Sequence, residues 1–269
     1  MIKLPQTISD ARVDTILNIF NQIQRSKELV LDFGRVQSIL PAGHVILLSI
    51  LDKVIEHQTQ VDFLNLSSKI KKLKSVQLLL EHSSQQGFCS VDQLSFIGEG
   101  LIVKSLQNSI YISIEEDLIQ CFESKISEKQ RWYIQFILNE LIQNALDHST
   151  SERYFVYIGE WKREIHFGIT DLGVSIPAKL EQKYNCESDE QYLLKSLEYK
   201  VGTRRVRDGG LGLFHLFSIL KEAEGRMVMI SRDAQLRKYF KQRKTEHGKL
   251  KNSLRGTWCF VRMPKESVL

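Results

Sequence analysis

The sequence predicts an α/β protein built from two consecutive units, and three observations carry the prediction. Short apolar strand-like runs alternate with segments of helical periodicity as far as about residue 88. A polar stretch with three glycines, Gly87 to Gly100, then reads as a connection. A second series of strands and helices follows, so the units are expected at residues 1–88 and 105–269, with a linker at 89–104.

In the first unit, Val30 to Phe33 is a compact apolar strand closed by Gly34. Pro41-Ala42-Gly43 opens a helix, His44 to Glu56, with Val45, Leu48, Leu51, Val54 and Ile55 at helical spacing. Val61 to Leu66 is a second strand. Ser67 and Ser68 are caps for a helix over Lys69 to Glu81. In the second unit, Ser109 to Ile114 alternates as a strand, and Ser127-Glu128 caps a long helix with Ile134, Ile137, Leu138, Leu141, Ile142 and Ala145 along a broad stripe. Strands at Tyr154 to Ile158 and Glu164 to Thr170, a helix at Leu213 to Ala223, and strands at Met227 to Ser231 and Trp258 to Met263 complete it.

Composition excludes several classes. Of 269 residues, 42% are hydrophobic and 26% charged, which excludes a disordered or fibrous chain. Cys89, Cys121, Cys186 and Cys259 lie too far apart for metal-ligand spacing or a disulfide framework, and fit buried thiols in a reducing compartment. No apolar run approaches the ~18–20 residues of a membrane span, and the N-terminus lacks the order of a signal peptide, so no membrane association and a cytoplasmic location are expected. The net charge of +5 is local: Arg232 to Arg255 holds nine Lys or Arg against two acids. That segment, read as an insertion with helical content, either solvates itself as a hairpin or grips an acidic protein or nucleic acid through cations interleaved with Tyr239 and Phe240.

Polar residues interrupt the stripe of the long helix. Glu140 and Asn144 stand one turn apart, with Asp147 and His148 at the next, so one face carries a carboxylate and a carboxamide in line. Such a face is either solvated surface or a magnesium and phosphate site, since an amide oxygen ligates a hard cation and a carboxylate can position water. Asp171 closes a strand with Gly173 two residues on, which lets a carboxylate meet a flat amino-bearing base above a tight turn. Gly210 and Gly212 precede the apolar helix at Leu213, where backbone N–H groups can approach an anion. Gly256-Thr257 opens the last strand.

Two resemblances follow from these residues. Leu29 to Leu51 resembles the strand, loop and helix of STAS domains, the fold of anti-sigma-factor antagonists. Ala42 stands where that family carries its phosphorylated Ser, so the usual switch is absent here; a generic packing or dimerising domain is the other reading. Over residues 105–265 the chain resembles the GHKL ATPase family of gyrase B, Hsp90, MutL, histidine kinases and anti-sigma-factor kinases. Asn139-Glu140-Leu141-x-x-Asn144-Ala145 looks like its N box, Asp171-x-Gly173 its first glycine box, Gly210-Leu211-Gly212-Leu213 its second, and Gly256-Thr257 its late Gly-Thr pair.

The second resemblance implies an α/β sandwich that binds ATP and Mg2+. It implies that Asn144 coordinates the magnesium, Glu140 acts as general base, and Asp171, supported by Thr257, accepts from the adenine amino group. Gly173 shapes the adenine pocket, and Gly210 and Gly212 supply the phosphate-side backbone. A lid is expected at 178–209, with Lys195, Arg204 and Arg205 either reaching phosphate or lying solvated on its surface. Asp147 and His148 either tune the magnesium site or cap the helix. The chain departs from the pattern at Ser175, where a second Gly is usual.

No histidine lies in Glu115 to Trp132, which points away from a two-component histidine kinase, and the absence of a transducer segment after Pro264 points away from gyrase B, Hsp90 and MutL. The implied function is an ATPase switch acting on a regulatory protein partner. The alternatives are a serine/threonine kinase of a separate STAS-like chain and a nucleotide-dependent module without turnover. Retention of Glu140 favours turnover, and a homodimer through the first unit stays open.

Overall fold

A computed structural model describes residues 1–84, 96–98, 101–107, 126–151, 153–199, 201 and 212–266. It is a mixed α/β protein with parallel and antiparallel sheets. The N-terminal part contains β1 (Ile2–Lys3), β2 (Thr7–Ile8), α1 (Val13–Arg25), β3 (Glu28–Asp32), β4 (Ser38–Ile39), α2 (Pro41–Glu56), β5 (Gln60–Leu64), α3 (Ser68–Lys71) and α4 (Lys74–Ser84). Strands β1, β3 and β5 form a parallel sheet in that order, and β2 pairs with β4, also in parallel.

The remainder contains β6 (Phe96–Gly98), β7 (Leu101–Gln107), α5 (Glu128–Asn144), a π-helical turn (Ala145–Ser149), β8 (Arg153–Trp161), β9 (Glu164–Asp171), α6 (Ile176–Leu180), α7 (Asp189–Lys195), α8 (Gly212–Glu222), β10 (Arg226–Tyr239) and β11 (Lys244–Pro264). Its six strands form one antiparallel sheet in the order β10-β11-β9-β8-β7-β6.

Side chains alternate along β9, as strand geometry requires. Ile165, Phe167 and Ile169 join the core beneath α5 and α8. Thr170 faces the other way and meets Ser49 of α2 at 3.0 Å. On that second face Phe155, Tyr157, Trp258 and Phe260 share one continuous core with α1, α2, β3 and α4. Helix α2 is apolar around most of its circumference, with 12 of its 16 residues buried, and such a helix is stable only when covered on all sides. It lies against β8 and β9 and is flanked by α1 and α4. Buried or half-buried polar pairs fasten the same seam: Arg153 with Asp52, Arg262 with Asp10, and Asn21 with Asn252.

Three expectations are corrected. The expected linker at 89–104 overlaps structure, because β6 and the start of β7 are strands of the large sheet. The expected helix over Lys69 to Glu81 is two helices, with Ser67 capping the first by accepting from the Ile70 N–H at 3.3 Å. The basic segment Arg232 to Arg255 is strand rather than helix: it is the far end of the β10–β11 hairpin. The hairpin is also packed, since Ala234 and Leu236 are buried and Arg237 donates to the carbonyls of Asp10 and Ala11. Lys241, Lys244 and Lys249 pair with Glu224, Glu246 and Asp233. The strand read at Ser109 to Ile114 lies outside the described residues. Among the described residues, no helix is long and apolar enough to cross a membrane.

Because one core joins the two parts, denaturant unfolding monitored at once by fluorescence and far-ultraviolet dichroism should show a single transition. Trp258→Ala, which empties the seam, should lower stability by about 3–5 kcal/mol and shift both signals together. Two separated transitions would overturn the shared core.

Candidate functional site

The site forms where α5, the end of β9 and the stretch of β11 around Thr257 meet. Ser127 caps α5, its hydroxyl accepting from the Gln130 N–H at 3.2 Å, and Glu128 adds a first-turn acid. The stripe from Tyr133 to Ile142 is buried, which fixes the rotation of the helix and presents Glu140 and Asn144 one turn apart, both half-buried. After Asn144 the helix loosens into a π turn that ends at Ser149, with Thr150 left-handed.

That ending receives the loop after β9. A Cβ on Gly173 would stand 1.9 Å from the Ser149 carbonyl oxygen, so only glycine lets the loop close here, and the Val174 N–H donates to the same oxygen. From the other side β11 approaches as closely. A Cβ on Gly256 (φ +98°) would lie 2.3 Å from the Asp171 carbonyl oxygen. Trp258 pairs in register with Thr170, so Thr257 comes beside Asp171.

Asp171 is therefore enclosed, at 4% exposure. Burial pushes its carboxyl up to about 7, against the opposing effect of N–H groups from Gly173 and Thr257. The Gly173 N–H donates to its Oδ1 at 3.0 Å. The carboxyl faces a cleft walled by Leu141, Ile169, Ile176, Leu213, Met229 and Cys259. Asn144, Thr257 and Lys179 supply polar groups to the same lining. An apolar slot with one deep acceptor and a few polar groups at its edge suits a flat ligand that carries an amino group.

Of the residues singled out in the sequence, Asn144, Asp171 and Thr257 are brought to this cleft, and Gly173 shapes its wall. Glu140 is on the same helix but does not line the cleft among the described residues. Lys195 does not line it either: its ammonium pairs with Glu198 at 2.7 Å and lies 5.7 Å over the Tyr184 ring. Asp147 is exposed and accepts from the Gln143 amide at 2.8 Å. Gly210, Arg204 and Arg205, most of the expected lid beyond Val201, and the side chain of His148 lie outside the described residues; Gly212 opens α8.

Two residues, Lys179 and Ser231, escaped the sequence reading, and a third, Ser175, entered it only as a departure from pattern. Lys179 is in the lining, and its place on the first turns after Asp171 is the only local signal for it. Ser175 stands where a glycine was expected, and its hydroxyl caps α6 by accepting from the Ala178 N–H at 3.2 Å. Ser231, fully buried, accepts from the Ile176 N–H at 3.0 Å and donates to the Gly256 carbonyl at 2.8 Å, binding α6 to the hairpin. Compared with models of known families and with curated proteins, the chain finds no match.

A carboxyl raised to about 7 in the folded chain keeps its proton where an unfolded one, with a value of about 3.9, has lost it. The folded state then binds the extra proton between about pH 4 and 7, so this group subtracts stability progressively across that window and by a constant amount above it. Asp171→Asn lacks this loss. The stability difference should move in favour of the variant by up to a few kcal/mol between pH 4 and 7 and then level off; a difference independent of pH would show that Asp171 is not held protonated.

Proposed function

We propose that the chain is an ATP-binding regulatory protein of the histidine-kinase-like ATPase family, which hydrolyses Mg-ATP as a conformational switch acting on a partner protein. The observation that carries the reading is Asp171, a buried carboxyl at the end of an apolar slot with Asn144 and Thr257 in the same lining. On this reading the second half of the chain is the α/β sandwich of that family and the first half is STAS-like.

The residues present fit the nucleotide. An adenine offers one amino donor and a flat apolar body, which matches a deep acceptor between aliphatic walls. Among the described residues, no cluster of three His, Cys, Asp or Glu could hold a metal by itself. A magnesium ion carried on phosphates needs few protein donors, and the Asn144 carboxamide oxygen supplies one. Mg-ATP, when bound, supplies the phosphoryl group and the charge that screens it.

The chain's own groups do the rest. Asp171 accepts a hydrogen bond and orients the base, while Thr257 holds that carboxylate from its backbone. Glu140, one turn before Asn144, takes a proton from water at a carboxylate oxygen. Lys179 places a positive charge at the lining. Gly212 offers a backbone N–H group at the start of α8. Ala42 has no hydroxyl, is 1% exposed and lies at the start of α2 within the shared core, so the chain cannot accept phosphate at the position usual for a STAS-like domain.

Purified protein should release inorganic phosphate from Mg-ATP. Glu140→Ala should reduce release about 10²–10⁴-fold while keeping ATP affinity. Transfer of label to an added protein without release would favour the kinase reading, and binding without either would leave a nucleotide-dependent module. Adenosine, which does not titrate near neutrality, should bind the wild type more weakly as pH falls below about 7, where Asp171 gains its proton. Unchanged adenosine affinity in Asp171→Asn would overturn the assignment of that residue to the base.

A further inference from the structure

A second cleft lies on the opposite side of the Leu172–Ser175 loop, between the C-terminal ends of α1 and α2 and the hairpin. Its floor is apolar, with Phe20, Ile23, Leu172 and Leu254, and its described lining includes Lys53, His57, Arg232 and Arg255 but no carboxylate. Two of those cations are already engaged. Arg232 grips Glu181 and Asp189, and Lys53 pairs with Glu56 just outside the lining. Burial of Glu56 opposes its ionisation, but Lys53, His57 and Arg255 outweigh that and hold its carboxyl below the usual range. Arg255 makes no ion pair among the described residues and is exposed.

The backbone is shaped for this arrangement. Ser231 pairs with Thr257 and Arg232 with Leu254, so Arg255 and Gly256 have no partner across the ladder and form a bulge. Arg232 (φ +52°) and Gly256 (φ +98°) both sit in the left-handed region there. A bulge that holds a charged residue away from the ladder, above an apolar floor, re-aims that residue toward the cleft rather than along the sheet.

We propose that this cleft is a binding site for a small organic anion, one carrying a carboxylate, sulfonate or phosphate on an apolar body. The acid group pairs with the Arg255 guanidinium, which can donate two hydrogen bonds to it, and the body covers Phe20, Ile23 and Leu254. Val174 and Ser175 line both clefts, so an occupant here bears on the loop whose Gly173 N–H holds Asp171. The site stands on its own residues and does not depend on what the first cleft binds.

The test uses 1-anilinonaphthalene-8-sulfonate, an anion with an apolar body, titrated by fluorescence and calorimetry into the full chain. The expected result is a single site whose affinity falls about tenfold in Arg255→Ala, the loss of one charge-assisted interaction, and is restored toward wild type in Arg255→Lys. Affinity should be unchanged in Lys179→Ala, whose side chain lines only the first cleft. Thermal unfolding of Arg255→Ala, an exposed position, serves as the check on folding. No binding by the wild type, equal binding by Arg255→Ala, or binding lost in Lys179→Ala would each overturn the proposal.

Discussion

Everything else in this molecule is arranged around the burial of α2. A 16-residue helix with apolar or small side chains on nearly every face cannot sit on the surface of a small parallel sheet and leave one side in water. The back of the six-stranded sheet has the complementary need, since Phe155, Tyr157, Trp258 and Phe260 point away from α5. Each surface covers the other, and the apolar area removed from water is the main stabilising term. The Ser49–Thr170 contact lies within that seam, and the Ser49 hydroxyl also reaches the Val45 carbonyl of its own helix at 3.0 Å.

The seam reaches the candidate site through a single residue step. Thr170 faces α2, and its neighbour Asp171 faces the cleft, because successive strand residues point to opposite faces. A carboxyl forced up to about 7 is unfavourable for the fold by itself. A strongly perturbed carboxyl in a largely apolar cleft marks a candidate site, since the fold alone gains nothing from it. The two glycines beside it are explained by crowding: Gly173 under Ser149, and Gly256 against Asp171 itself.

Much of this was readable residue by residue. The stripe and cap of α5 defined that helix because both signals are local, and the placement of Asp171 at a strand end with Gly173 following was enough to single it out. Lys195 shows the limit of such reading. The family resemblance put it in a candidate lid, but Glu198 one turn away and the Tyr184 ring offered nearer partners. The basic segment misled in the same way. Its composition suggested a loose insertion, whereas cross-strand pairing and the contacts of Arg237, Lys251 and Asn252 with the α1 region engage it on the protein's own surface.

The sequence by itself determined the alternation of strands and helices, the polar face of α5, the carboxyl of Asp171 and the glycines that let the chain turn beside it, because period, caps and turn chemistry act over a few residues. Only the tertiary structure decided that the two parts share one core, that Lys179 rather than Lys195 joins the cleft, that Ser231 ties α6 to the hairpin, and that a bulge turns Arg255 toward a second cleft. Those outcomes depend on contacts between segments tens to hundreds of residues apart. There, burial and pairing choose among partners that local pattern leaves equivalent.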